Sequence, residues 1–115
     1  MPFINVKYSG DITPDQEENI KAGLGLSIKS IGKTEDWLMV GFEPNSTIYF
    51  KGEKPNKAAY VEVSMFSLSP LKSSAYDEMT ANISLILAET LEINPDKIYV
   101  KYSLTEHWGW NGGNL

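Results

Sequence analysis

Cysteine is absent from this 115-residue chain, which excludes disulfides, thiolate metal sites and Cys-x-x-Cys redox chemistry and agrees with a reducing compartment. Histidine occurs once. His107 has no partner at metal-ligand spacing and reads as a surface residue, so neither a metal nor a cofactor is expected. Basic residues are outnumbered, ten against fifteen acidic, for a formal charge of −5, the wrong sign for electrostatically driven nucleic-acid binding. No apolar stretch approaches the roughly 20 residues of a spanning helix, and no positively charged region followed by an apolar run opens the chain. The expectation is a soluble, cytoplasmic protein with no nucleic-acid and no membrane partner, export without a signal peptide being left open. One domain, residues 1–115, suits this length.

What is present begins with Met1-Pro2 and the strand-like run Phe3-Ile4-Asn5-Val6-Lys7-Tyr8. Removal of an initiator methionine ahead of a small residue would leave Pro2 with a free secondary amine at the head of a strand, a candidate general base. Thr13-Pro14-Asp15-Gln16 then carries a helix-start pattern: an N-cap, proline at the first position and a glutamine to close a capping box. A helix is predicted from Pro14 to Ser30, with Ile20, Leu24, Ile28 and Ile31 on one face. Gly23 and Gly25 inside it are expected where a backbone or bulky side chain comes close. Glu17-Glu18 suit the helix dipole. Gly32-Lys33 ends the helix, and Trp37 to Phe42 reads as a second strand.

Thr47 to Lys51 reads as a small strand or ribbon between loops. The second half then repeats the first: a strand from Ala58 to Phe66, a helix from Ser69-Pro70 to Leu91, and a strand from Lys97 to Tyr102. The apolar stripe of this helix comprises Leu71, Ala75, Met79, Ile83, Ile86, Leu87 and Leu91. The pattern is two tandem β-α-β repeats, each contributing a parallel pair of strands, with right-handed crossovers that put both helices on one face. Tyr99 and Lys101 then fall on the other face, opposite Ile98, Val100 and Tyr102. That uncovered face makes association through sheet surface or edges plausible. On residue type alone, Lys33 suits a helix C-terminal dipole, and Trp108-Gly109-Trp110 suits either packing, a subunit clasp or a pocket wall.

Met1-Pro2 opening a strand, Gly32-Lys33, Phe50-Lys51-Gly52, Ile93-Asn94-Pro95-Asp96-Lys97-Ile98-Tyr99 and Gly109-Trp110-Asn111-Gly112 together resemble the macrophage migration inhibitory factor family of the tautomerase superfamily. The match spans nearly the whole length. It implies an α+β fold of two tandem β-α-β repeats forming a four-stranded mixed sheet, two antiparallel helices on one face of that sheet, a homotrimer, and active sites between subunits. It further implies Pro2 as catalytic base, Lys33 as the cation for a substrate carboxylate, and Met65 where a backbone group helps bind substrate. Tyr99 would come from the neighbouring subunit, Trp37, Trp108 and Trp110 would wall the pocket, and Leu115 stands near the position of a C-terminal aromatic.

Three departures bear on chemistry. The loop Ser64 to Pro70 lacks the family's Ser-Ile-Gly turn, Lys101 stands where asparagine is usual, and the tryptophans flanking Gly109 make a bulkier wall. A cation such as Lys101 near Pro2 would lower the amine's pKa, as burial would. The resemblance implies an isomerase, a phenylpyruvate-type keto-enol tautomerase acting on small α-keto acids. Two alternatives stay open: hydration or dehalogenation by the same proline, and a non-enzymatic cytokine-like role with a receptor or host partner.

Overall fold

Thr13 caps the first helix as its sequence requires. In the computed structural model, which describes residues 1–115, its Oγ1 accepts from the Gln16 N–H at 3.2 Å while the Gln16 side chain accepts from the Thr13 N–H at 2.9 Å. The helix so started, α1 (Pro14–Ser27), follows the strand β1 (Pro2–Tyr8) and tightens into a 3₁₀ turn at Ile28–Ile31 that ends on Gly32. The regular helix is thus shorter than its apolar pattern predicted. The turn keeps Ile28 and Ile31 buried beside Ile20 and Leu24, so the pattern is satisfied without α geometry.

The next segment differs from expectation. Glu35–Trp37 form a second 3₁₀ turn, and strand β2 begins only at Met39 (Met39–Glu43), leaving Trp37 and Leu38 ahead of it. Thr47 to Lys51 is not a strand; only an isolated bridge joins Phe50 to Glu53. Strand β3 (Ala59–Phe66) leads to helix α2 (Ser73–Leu91). Ser69-Pro70 does not start this helix, because Ser67 Oγ donates to the Ser69 carbonyl at 2.6 Å and residues 67–72 make a loop. Strand β4 runs from Ile98 to Thr105, three residues beyond its expected end, and a hairpin of β5 (Gly109–Trp110) and β6 (Gly113–Asn114) follows.

The sheet order is β2-β1-β3-β4, with β1 parallel to β2, antiparallel to β3, and β3 parallel to β4. Each β-α-β repeat contributes one parallel pair, so the fold is α+β with a mixed sheet. Since β1 and β3 run in opposite directions, the helices returning from them are antiparallel. Both cover one face, where Ile20, Leu24, Met79, Ile83 and Leu87 pack on Ile4, Val6, Val61, Val63 and Met65, all buried. Full burial of each such side chain is worth about 1.5–3 kcal/mol. Gly23 lies where the two helices approach: a Cβ there would sit 2.9 Å from the Ile86 side chain.

The opposite face is uncovered. Phe3, Met39, Tyr60, Phe66 and Tyr99 lie there among Asn5, Glu62 and Lys101, with Met39 67% and Tyr99 63% exposed. Its polar groups pair with each other: Asn5 donates to Glu43, Tyr60 to Glu62 at 3.0 Å, and Lys101 meets Glu62 at 3.7 Å. No helix is long and apolar enough to cross a membrane.

Candidate active site

The first residues of β1 enter the sheet between β2 and β3. Pro2 faces the buried side in register with Met65, while Phe3 faces the open side in register with Met39 and Ser64. Beyond Pro2 the ladder makes one further bond, from the Phe66 N–H to the Met1 carbonyl at 3.3 Å. Alternate strand residues direct their backbone groups to opposite neighbours, so Phe66 presents its N–H and C=O to the chain terminus while Met65 presents its own toward β4. The backbone donor facing the terminus therefore belongs to Phe66, a residue the sequence did not single out.

Lys33 is brought to the same place. The turn at Gly32, with φ 72°, sends the chain back toward the sheet, and the Lys33 Nζ donates to the Phe66 carbonyl at 3.0 Å. The amine of Met1, the terminal residue, lies close by. Its pKa is pushed below the ordinary 8.0, first by burial and then by the charge of Lys33.

On the other side of Pro2 is a cleft of about 440 Å³ whose lining includes Met1, Pro2, Asp36, Trp37, Trp108 and Trp110. Trp37 comes from the 3₁₀ turn before β2 and Trp110 from the β5–β6 hairpin, and their rings meet edge to face at 5.1 Å and 83°. Asn111 and Gly112, with φ of 52° and 81°, form the two-residue turn of this hairpin. Asn-Gly is the strongest short-range hairpin signal, and it would have revealed the element had it been read as a turn. The Leu115 N–H donates to the Trp108 carbonyl at 3.0 Å, which places the C-terminal residue against the same wall.

Pro2, Trp37, Trp108 and Trp110 are thus gathered in one cleft, with Lys33, Met65 and Leu115 beside it. Tyr99 and Lys101 are not. Tyr99 is in register with Tyr60 and hence with Lys7, five residues along β1 from Pro2, a distance of about 17 Å at strand rise. Its ring packs edge to face on Phe50 at 5.6 Å. Lys101 shares its face and pairs with Glu62. His107 is exposed, 3.8 Å from Glu106. Asp36 lines the cleft without having been foreseen, because a carboxylate in a short turn carries no periodic signal.

The sequence matches no family model and no curated protein. Among solved structures it is similar to Leishmania major MIF2, at 32% identity over 100% of this chain and 97% of that one, with a TM-score of 0.91. It is also similar to macrophage migration inhibitory factor of Toxoplasma gondii, at 17% identity, 98% and 99% coverage and a TM-score of 0.86. A protein described as a Q0 fused 4-OT wild type symmetric trimer aligns at 15% identity, 96% and 93% coverage and a TM-score of 0.83. The last two likenesses are of fold.

Proposed function

Because this chain belongs to the macrophage migration inhibitory factor family, we propose that it is a keto-enol tautomerase of small α-keto acids, with the Pro2 amine as general acid and base. The observation that carries the reading is the position of Pro2: at the head of β1, in a tryptophan-walled cleft, one residue from the Met1 amine whose pKa burial and then the Lys33 charge lower. Removal of Met1 would turn the Pro2 nitrogen from an amide into a secondary amine. It would also take the acceptor away from the Phe66 N–H, leaving that donor open beside the new amine.

In the reaction, the neutral Pro2 nitrogen takes a proton from the carbon alpha to the substrate carbonyl. The C–H electron pair becomes the new C=C bond, the carbonyl π pair moves to oxygen, and the proton returns from Pro2 to that oxygen. Lys33 holds the substrate carboxylate, and the freed Phe66 N–H supplements it at the end of β3 held by Met65. The three tryptophans and Leu115 exclude water, which strengthens every polar interaction inside. Tyr99 is the donor to the developing oxyanion, with Lys101 next to it. At about 17 Å along the sheet from Pro2, both reach a cleft only on a neighbouring subunit. The reading therefore includes a homotrimer, supported by the uncovered sheet face and by the likeness to a symmetric trimer.

The test is turnover of phenylpyruvate by the chain with Met1 removed. General acid–base groups contribute about 10²- to 10⁴-fold, so acetylating the Pro2 amine, or inserting an alanine ahead of it, is expected to lower kcat/KM by about a hundredfold or more with the circular dichroism spectrum unchanged. Full activity in a chain with a blocked N-terminus overturns the proline mechanism.

A further inference from the structure

We propose that Asp36 is a specificity residue of the cleft, selecting α-keto acids whose tail ends in a cationic group over those ending in a second carboxylate. The inference deepens the tautomerase reading and rests on it. The cleft is polarised. Lys33 and the Phe66 N–H stand beside the cleft near the chain terminus, where an anion is favoured, whereas the lining that one chain supplies from the 3₁₀ turn and the hairpin carries a carboxylate and no cation: Asp36 with Trp37, Trp108 and Trp110.

Asp36 takes part in none of the chain's ion pairs and in none of its side-chain hydrogen bonds, unlike Glu62 on the open face. A three-residue 3₁₀ turn presents too small a dipole to account for the residue. Its neighbour Glu35 has a structural place, with its carboxylate lying over the Gly25 backbone where any Cβ would collide with it. That contact fixes the turn on α1 and leaves Asp36 as the one acidic side chain at the cleft.

A carboxylate and tryptophans lining one cleft are the composition of a cation site, because a ring face and the full negative charge attract the same group. Asp36 is exposed, and even in water two unit charges about 4 Å apart attract or repel strongly enough to change affinity severalfold. A substrate with one carboxylate at its keto-acid end and an ammonium at its tail meets complementary charge at both ends. A dicarboxylate meets it at one end only.

The experiment uses a matched series on the processed protein: phenylpyruvate and its para-carboxy and para-aminomethyl derivatives. The readout is the ratio of kcat/KM between the two charged derivatives. The native chain is expected to favour the aminomethyl compound by about tenfold, Asp36→Asn to bring the ratio to within about twofold of unity, and Asp36→Lys to reverse it. Tryptophan-fluorescence titration gives dissociation constants for the same compounds and does not depend on turnover. If phenylpyruvate is not turned over but the affinities follow this order and respond to Asp36→Asn, the tautomerase reading fails and the charge selection stands. A ratio that Asp36→Asn leaves unchanged in both measurements overturns the inference, and is the result expected if a cation of a neighbouring subunit neutralises Asp36.

Discussion

The Lys33 ammonium is held by the Phe66 carbonyl and acts on the terminal amine, whose pKa falls below 8.0 mainly through burial and further through this charge. The sign for stability follows from proton counting. Just under pH 8.0 the unfolded chain binds more protons at this amine than the folded chain, so its contribution is present above that pH and is lost as pH falls through the lowered value. In the proposed reaction that amine is gone, and a Pro2 amine exposed beside the same Lys33 ammonium is disfavoured in its protonated form for the same physical reason. Lys33→Ala removes the smaller of the two causes. The lower limb of the pH–rate profile is expected to move up while remaining below the value of an unburied amine, and KM for phenylpyruvate to rise more than KM for its methyl ester. Equal effects on acid and ester would remove Lys33 from the carboxylate's place. Residues of this kind differ in how far sequence reveals them. That Pro2, Trp37, Trp108 and Trp110 meet in one cleft is legible through the family resemblance, which short motifs at fixed places in the chain carry. The Phe66 N–H is not, since a backbone donor has no side-chain signature and this one is aimed by strand alternation and uncovered only when its neighbour is cut away.

At the level of elements, the stripes of α1 and α2 located the core because a helix must bury one face, and the capping box located the start of α1. The same logic failed at Ser69-Pro70, where local turn bonding by Ser67 used the residues that would have capped α2. It also failed at Thr47 to Lys51, whose β-forming composition finds no neighbouring strand within the chain to pair with. The expected close approach at the helix glycines is present: Gly23 faces Ile86 across the α1–α2 contact, and Gly25 faces Glu35. Two effects compete in Gly23→Ala. Helix propensity gains about 1 kcal/mol, while overpacking against a branched side chain costs about 1–3 kcal/mol, and a Cβ at 2.9 Å from two Ile86 carbons puts this site where overpacking wins. Gly23→Ala is expected to lower the thermal midpoint by a few degrees, and the double variant Gly23→Ala with Ile86→Val to recover part of the loss. A higher midpoint in the single variant would mean that Ile86 rotates aside at little cost.

For the whole molecule, the proposed site requires Tyr99 to reach Pro2, although one chain holds them about 17 Å apart along the sheet. Closed cyclic symmetry gives a general answer: identical subunits arranged head to tail each offer one edge of the site and receive the other. Such an arrangement would also cover the sheet face that carries exposed Met39 and Tyr99. Light scattering at micromolar concentration is expected to give three times the chain mass, and a monomer would count directly against the shared site. A sharper test uses two defective chains. One carries an alanine inserted ahead of Pro2 and so lacks the base; the other carries Tyr99→Ala and lacks the donor. Each alone is expected to be nearly inactive. After co-refolding in equal amounts, a site is intact whenever a subunit with a free Pro2 receives Tyr99 from a neighbour of the other kind, which random assembly into closed rings produces in about one site in four. Recovery of about a quarter of native activity per site is therefore expected. If the mixture stays as inactive as its parents although mixed trimers are detected by native mass spectrometry, Tyr99 does not act across the subunit boundary.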